Sequence, residues 1–308
     1  MSYARWTAFF CSLFFYQSVS AATQTSSGVE GVEPQKGVTT GQLESVVKKP
    51  SSTKRFGPSM ALTSFFYGPA VDDVGAGTTP GIYEGSVDGL SLQNQVSLTF
   101  NPAQDLWITP VFDFVYRFTD SDGFNANEFA LDYDSFIRIA RTNIFNERVA
   151  FSNVGLNADV RVFFPTSEFS RDNRTIGSAR FSLVPFIRTR DQKWSFNFLN
   201  YVKYWLQTEE ISPVYETAIP QVMFYTGPSI TYQFSQRVSA WLLFEATMAV
   251  NSLGEDNRSD PERSLVDIEP GFDLQITKNL YVSPYLNWYL SQPITTTSLN
   301  VIAKVVLF

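Results

Sequence analysis

"LWITPVFDFVYRF", residues 106–118, splits in two when every second residue is taken. Leu106, Ile108, Pro110, Phe112, Phe114, Tyr116 and Phe118 form one set, and Trp107, Thr109, Val111, Asp113, Val115 and Arg117 the other. A period of two is the mark of a β-strand with two unlike faces. The first face is apolar. The second carries an acid and a base. Which face meets the interior decides what kind of molecule this is.

The pattern recurs along the chain. Leu90, Leu92, Val96, Leu98 and Phe100 oppose Ser91, Gln93, Gln95, Ser97 and Thr99. Val154, Leu156, Val160, Val162 and Phe164 oppose Asn153, Asn157, Asp159 and Arg161, and Val266, Ile268, Phe272 and Leu274 oppose Asp267, Glu269, Asp273 and Gln275. Twelve such segments are expected, near 57–67, 88–100, 105–118, 129–142, 148–164, 176–190, 193–208, 220–235, 237–252, 264–277, 280–291 and 297–308. The connections alternate in length. "NPAQD", "NIFNE", "DQ", "SQ" and "KN" are short, whereas "TDSDGFNANE", "PTSEFSRDNRT", "EEISPVYETAI" and "LGEDNRSDPE" are long. An up-and-down meander with tight turns at one end and long loops at the other has this rhythm.

Composition narrows the choice. Of the 308 residues 16% are aromatic, yet the mean hydropathy is only -0.08, so apolar and polar side chains are finely interleaved. No apolar run reaches the roughly 18 residues a spanning helix needs. A net charge of -7 argues against nucleic acid as a partner. A soluble sandwich or lipocalin-like barrel buries its apolar face and wets its polar one. Twelve strands, however, enclose too wide a space for simple apolar filling, and no helices are available to cover a sheet. The apolar faces are rich in Phe, Leu and Val, with Trp194 and Trp288 towards strand ends, as in a lipid-facing band with aromatic girdles. The apolar face is therefore expected to point outward.

The beginning of the chain reads as a secretory signal. Arg5 precedes a largely apolar run, Trp6–Tyr16, and "SVSAAT" offers small residues for cleavage after Ala21. Cys11 lies within it and lacks the small residues of a lipid-attachment box, so the mature chain has no thiol. Residues 22–55, rich in Gly, Ser, Thr, Val and Lys, read as a disordered periplasmic linker, and 56–308 as the barrel.

These features resemble a Gram-negative outer-membrane β-barrel protein of the porin-like channel class. The resemblance rests on the signal-like start, the alternating strands, the loop rhythm and the end "VIAKVVLF", whose terminal aromatic, Phe308, matches a signal read by the barrel-assembly machinery. It implies outer-membrane lipid and lipopolysaccharide as surroundings, long loops outside the cell and tight turns in the periplasm. One departure stands out. Phe308 shares its parity with Asn300 and Lys304, while Leu299, Val301, Ala303, Val305 and Leu307 are the cleaner apolar set. Either a bulge, or a lumen-facing Lys304 with Phe308 beyond the membrane, would resolve it.

Chemistry is limited by what is missing. There is no histidine. That removes His-based nucleophilic sites and, with the thiol gone, the usual zinc sites, so no cofactor, metal or enzymatic role is expected. A carboxylate pair such as Asp267 and Glu269 reads as pore wall in preference to a glycosidase site. "DSDGFNANE", residues 120–128, has oxygen ligands around a Gly but not calcium-loop spacing, and reads as an acidic surface loop.

Parity places Asp113, Arg117, Asp132, Asp134, Arg138, Asp159, Arg161, Arg180, Arg188, Lys203, Glu245, Asp267, Glu269, Asp273 and Tyr285 on the lumen. Arg180, Arg188 and Lys203 cluster on two neighbouring strands, and Glu245, Asp267, Glu269 and Asp273 on two others. Such walls either set a field across the pore or meet and pair. Tyr201, Tyr225, Tyr281, Tyr289 and Asn287 share the same parity, and serve either as steps for a sugar-like solute or as filling. The expected function is passive diffusion of small hydrophilic solutes or ions. The alternatives are a closed structural or interaction barrel presenting its loops, or an autotransporter-like translocator with residues 22–55 in the pore.

Overall fold

The computed structural model describes residues 58–68, 91–118, 128–131, 133–149, 151–213, 219–251, 265–290, 294 and 297–308. The signal and linker expected over 1–55, Asp132 and most of the 120–128 loop lie outside them.

Among the described residues there are thirteen strands and one short helix. In chain order the strands are β1 Ser59–Tyr67, β2 Ser91–Ala103, β3 Leu106–Arg117, β4 Glu128–Ala130, β5 Phe136–Val149, β6 Ser152–Phe163, β7 Thr175–Thr189, β8 Trp194–Gln207, β9 Pro220–Ser235, β10 Val238–Asn251, β11 Leu265–Gln275, β12 Leu280–Tyr289 and β13 Ser298–Val306. The helix α1, Glu168–Asp172, lies between β6 and β7. Strands consecutive in the chain pair antiparallel, except that β4 and β5 do not pair with each other. The ring closes where β1 pairs with β13, Ala61 opposite Val306 and Phe66 opposite Val301. The pieces β4 and β5 both pair with β3 and form two halves of one stave, so the barrel has twelve staves.

The outside is the apolar face. Phe112, Phe181, Phe196, Phe198, Val202, Phe244, Phe272, Leu286 and Leu299 are all exposed. So wide a belt of exposed apolar side chains suits hydrocarbon and not water. Closure leaves no edge along the long strands, which a membrane interior requires, and the short β4 pairs with β3 alone. Among the described residues no helix is long and apolar enough to cross a membrane, and the crossing is made by strands.

The tight turns are built from short polar residues. Asp105 and Gln192 take the left-handed conformation, with φ of 60 and 56°. In the turn after β7, the Thr189 hydroxyl donates to Asp191 Oδ1 at 2.5 Å and the Lys193 amide donates to the same oxygen at 3.1 Å. These donors hold the Asp191 carboxyl below its usual range.

Two local expectations are corrected. "NIFNE" is strand and not turn, because β5 continues to Val149. Asn143, with φ 51°, takes up two extra residues in a bulge between Arg141 and Phe145. Its amide nitrogen donates to Asn157 Oδ1 at 2.9 Å and carries the ladder past the irregularity. In the fourth stave, residues 131 and 133–135 are not strand. There the chain after β6 docks instead, with Ser135 N donating to Thr166 Oγ1 at 2.8 Å and Glu168 N to Leu131 O at 2.8 Å.

The last strand needs no bulge. Its register with β1 and β12 is unbroken, Lys304 is buried on the lumen side, and Leu299 points outward. Phe308 follows the strand on the Lys304 parity and is exposed. Its carbonyl accepts from Met60 N at 3.1 Å.

Candidate functional site

The inward face of the barrel is where ionisable side chains gather, and neighbouring staves bring them into rows. Arg138 lies opposite Arg161, Arg161 opposite Arg180, and Arg180 opposite Lys203, so four cations cross β5 to β8 at one level. Like charges directly opposite repel. Asp159 offsets part of this, since Arg161 Nε meets its Oδ1 at 3.1 Å and Arg138 Nη2 its Oδ2 at 3.4 Å. Aromatic faces offset more. The Arg180 guanidinium lies 4.0 Å from the Tyr201 ring centre, and Lys203 Nζ sits 4.4 Å from Phe163 and 4.6 Å from Trp205. Arg188 lies 4.5 Å over Phe186.

The acids occupy another arc. Glu245 on β10 is the cross-strand partner of Asp267 on β11, and Glu269 is two residues further along the same face. One ligand oxygen from each lies within 4.8 Å of the others. Asn287 on β12 donates to Asp267 Oδ2 at 2.9 Å and to Glu269 Oε1 at 2.6 Å. The Tyr225 hydroxyl donates to Glu245. Asp273 belongs elsewhere on β11, accepting from the Ser239 hydroxyl at 3.0 Å, Trp241 Nε1 at 3.2 Å and the Ser283 hydroxyl at 2.8 Å.

Tyrosine rings link the two arcs. Tyr201 stacks on Tyr225, with ring centres 4.5 Å apart and planes at 9°. A continuous line therefore runs from Arg180 through the two rings to Glu245. Charge separation is kept, and the gap of β9 is bridged by polarisable rings.

Other lumen residues found from parity have different surroundings. Asp113 accepts from Gln93 Nε2 and Gln95 Nε2, each at 2.8 Å, and the Tyr67 hydroxyl donates to Gln93 Oε1 at 2.8 Å. Arg117 is buried at the end of β3. Asp134 is not on a strand. It sits in the break of the fourth stave and accepts from Ser167 N at 2.9 Å and the Ser170 hydroxyl at 2.6 Å, anchoring α1.

The filling of the lumen extends beyond the tyrosines expected there to apolar side chains. Phe65, Tyr67, Trp241, Leu243, Tyr285 and Ile302 form one buried cluster, reaching inward from β1, β10, β12 and β13. Leu243 and Val115 are 0% exposed and Glu269 1%, so a water-sized sphere does not reach them. The rings lie flat against glycines. A Cβ at Gly271 would come 2.4 Å from Trp241, and one at Gly227 would come 2.5 Å from Tyr225. Parity was the available signal, because Trp241 and Leu243 share it with Glu245.

No family model matches the sequence, and no curated protein does. Solved structures do. An outer membrane channel from Pseudomonas putida F1 is similar at a TM-score of 0.50 and 12% identity, over 81% of this chain and 95% of that one. OmpF of Salmonella typhi in complex with daunomycin is similar at 0.36 and 10%, over 81% and 96%. A loop-deletion mutant of OmpT, an outer membrane protein of Vibrio cholerae, is similar at 0.34 and 8%, over 82% and 97%. At such identities the first of these shares a fold and nothing finer. The chain is a closed antiparallel β-barrel, a fold it shares with that outer membrane channel.

Proposed function

We propose that this barrel is a narrow, weakly selective channel for ions and small hydrophilic solutes in the outer membrane. The supporting observation is the lumen, where a row of four cations on β5 to β8 faces a cluster of acids on β10 and β11. Ionisable groups inside a membrane protein are costly, and they mark paths for polar solutes. That one structure of the same fold is an outer membrane channel favours the same reading. The carboxylates read as lumen wall and not as a catalytic pair. Because side chains occupy the middle of the barrel, conductance is expected to be small.

Single-channel recording on refolded protein tests this. A small conductance is expected, with a mild cation preference. Neutralising Glu245, Asp267 and Glu269 together shifts the reversal potential towards anions, most clearly at low salt where screening is least. Changing Arg180 and Lys203 to Gln shifts it the other way.

The packed cluster of Phe65, Tyr67, Trp241, Leu243, Tyr285 and Ile302 favours a second reading, a closed barrel whose loops do the work. No conductance in the full chain or in one lacking residues 22–55 selects that reading. Conductance only after that deletion identifies the segment as a plug.

A further inference from the structure

We infer that Glu245, Asp267, Glu269 and Asn287 form an oxygen-lined binding site for one divalent cation of calcium size inside the barrel wall. The inference concerns binding alone and does not depend on the channel reading.

The argument begins with burial. Glu245, Asp267 and Glu269 are 5, 3 and 1% exposed. Among the described residues none of the three makes an ion pair. Buried carboxylates close together require a counter-charge, either shared protons or a cation.

Asn287 is the second observation, and it points to the cation. It is 7% exposed, its head lies between Asp267 and Glu269, and its Oδ1 has no hydrogen-bond partner. Asp267 Oδ1 and Glu269 Oε2 are likewise buried without partners. Buried carboxylate oxygens left unsatisfied in this way are what an oxygen-ligated ion would satisfy. Turning the Asn287 amide over presents its carbonyl oxygen where its nitrogen now lies, adding a neutral fourth ligand.

Size and ligand type select the ion. The donors are oxygens only, which suits hard cations and not zinc or copper. Oxygens on opposite sides of calcium lie up to about 5 Å apart, and those around magnesium about 4 Å. One oxygen from each carboxylate lies within 4.8 Å of the others, a span that the larger ion can bridge. The Tyr225 hydroxyl, bonded to Glu245 and held by its stack on Tyr201, fixes one ligand in place.

The site is enclosed, so loading is tested during refolding. Full-length protein refolded into detergent with millimolar calcium, then freed of loose ion by gel filtration, is expected to retain one calcium per chain by elemental analysis. The E245Q/D267N/E269Q variant is expected to retain none. E269Q alone and N287L alone are expected to bind about ten- to hundredfold more weakly. Folding of each variant is checked by heat-modifiable gel migration. If the triple variant does not refold, the two single variants decide. Wild-type protein that holds no calcium, magnesium or manganese overturns the site. Retention unchanged in E269Q and N287L overturns it too, because the ion then sits elsewhere. Neither result depends on conductance.

Discussion

Phe112 and Asp113 are neighbours in the chain and meet different solvents. Phe112 is 52% exposed on the outside of the barrel and Asp113 is 1% exposed within it. A charge placed at each kind of position should therefore behave differently. Phe112→Arg and Leu242→Arg put a cation into hydrocarbon near mid-strand and should each destabilise by about 2–4 kcal/mol. Thr247→Arg enters the lumen from a half-buried position and should cost clearly less. Equilibrium unfolding in lipid vesicles measures all three, and equal losses would refute the facing assigned here. Facing was legible in the sequence because a strand has a period of two and nothing in β3 interrupts it. Contact was not legible. The stack of Tyr201 on Tyr225, and the meeting of Glu245 with Glu269, depend on how far each stave slides against the next. Register between strands is a property of the closed ring and not of either segment alone.

At the scale of the element, strand existence was readable and strand interruptions were not. Asn-rich "TNIFNE" carries turn residues, yet Asn143 uses its tolerance of the left-handed conformation for a bulge. The gap between β4 and β5 was no more legible. Asp134 alternates correctly for a lumen position, but its hydrogen bonds go to Ser167 and Ser170 across a loop that arrives later in the chain. The final strand shows the opposite case, where two sequence readings were open and the pairing selects one. Lys304 faces the lumen, so Phe308 reaches the end of the barrel on the lumen parity and remains exposed. An exposed end is available to a binding partner. Deleting Phe308 removes the acceptor for Met60 N and the aromatic end group together. Insertion into the outer membrane, measured as the heat-modifiable fraction in isolated envelopes, should fall several-fold. An unchanged fraction would show that the last residue does not direct insertion.

At the scale of the whole molecule, the tight turns lie at one end and the long connections at the other. The turn Asp191–Gln192 belongs to the first end, and α1 to the second. If the long connections are extracellular, cysteines introduced at Asn125 and Asn257 should react with a membrane-impermeant reagent on intact cells, and one at Gln192 should not. The expected absence of thiol from the mature chain keeps this measurement clean, since Cys11 falls within the expected signal. The reverse labelling pattern would invert the barrel. Closure also has a consequence in time. Ala61 meets Val306 across the seam, so two stretches near opposite ends of the chain must find each other before the ring is complete. The entropy of so long a loop grows only slowly with its length, and the finished barrel bears little of it. The burden falls on the route. Every form that precedes the seam has two raw edges, each a template for a wrong strand from another chain. For this protein, then, the hazardous interval is the wait for its own last strand. Changes along β1 or β13 should act first on how many molecules arrive, and only afterwards on how firmly the arrivals hold.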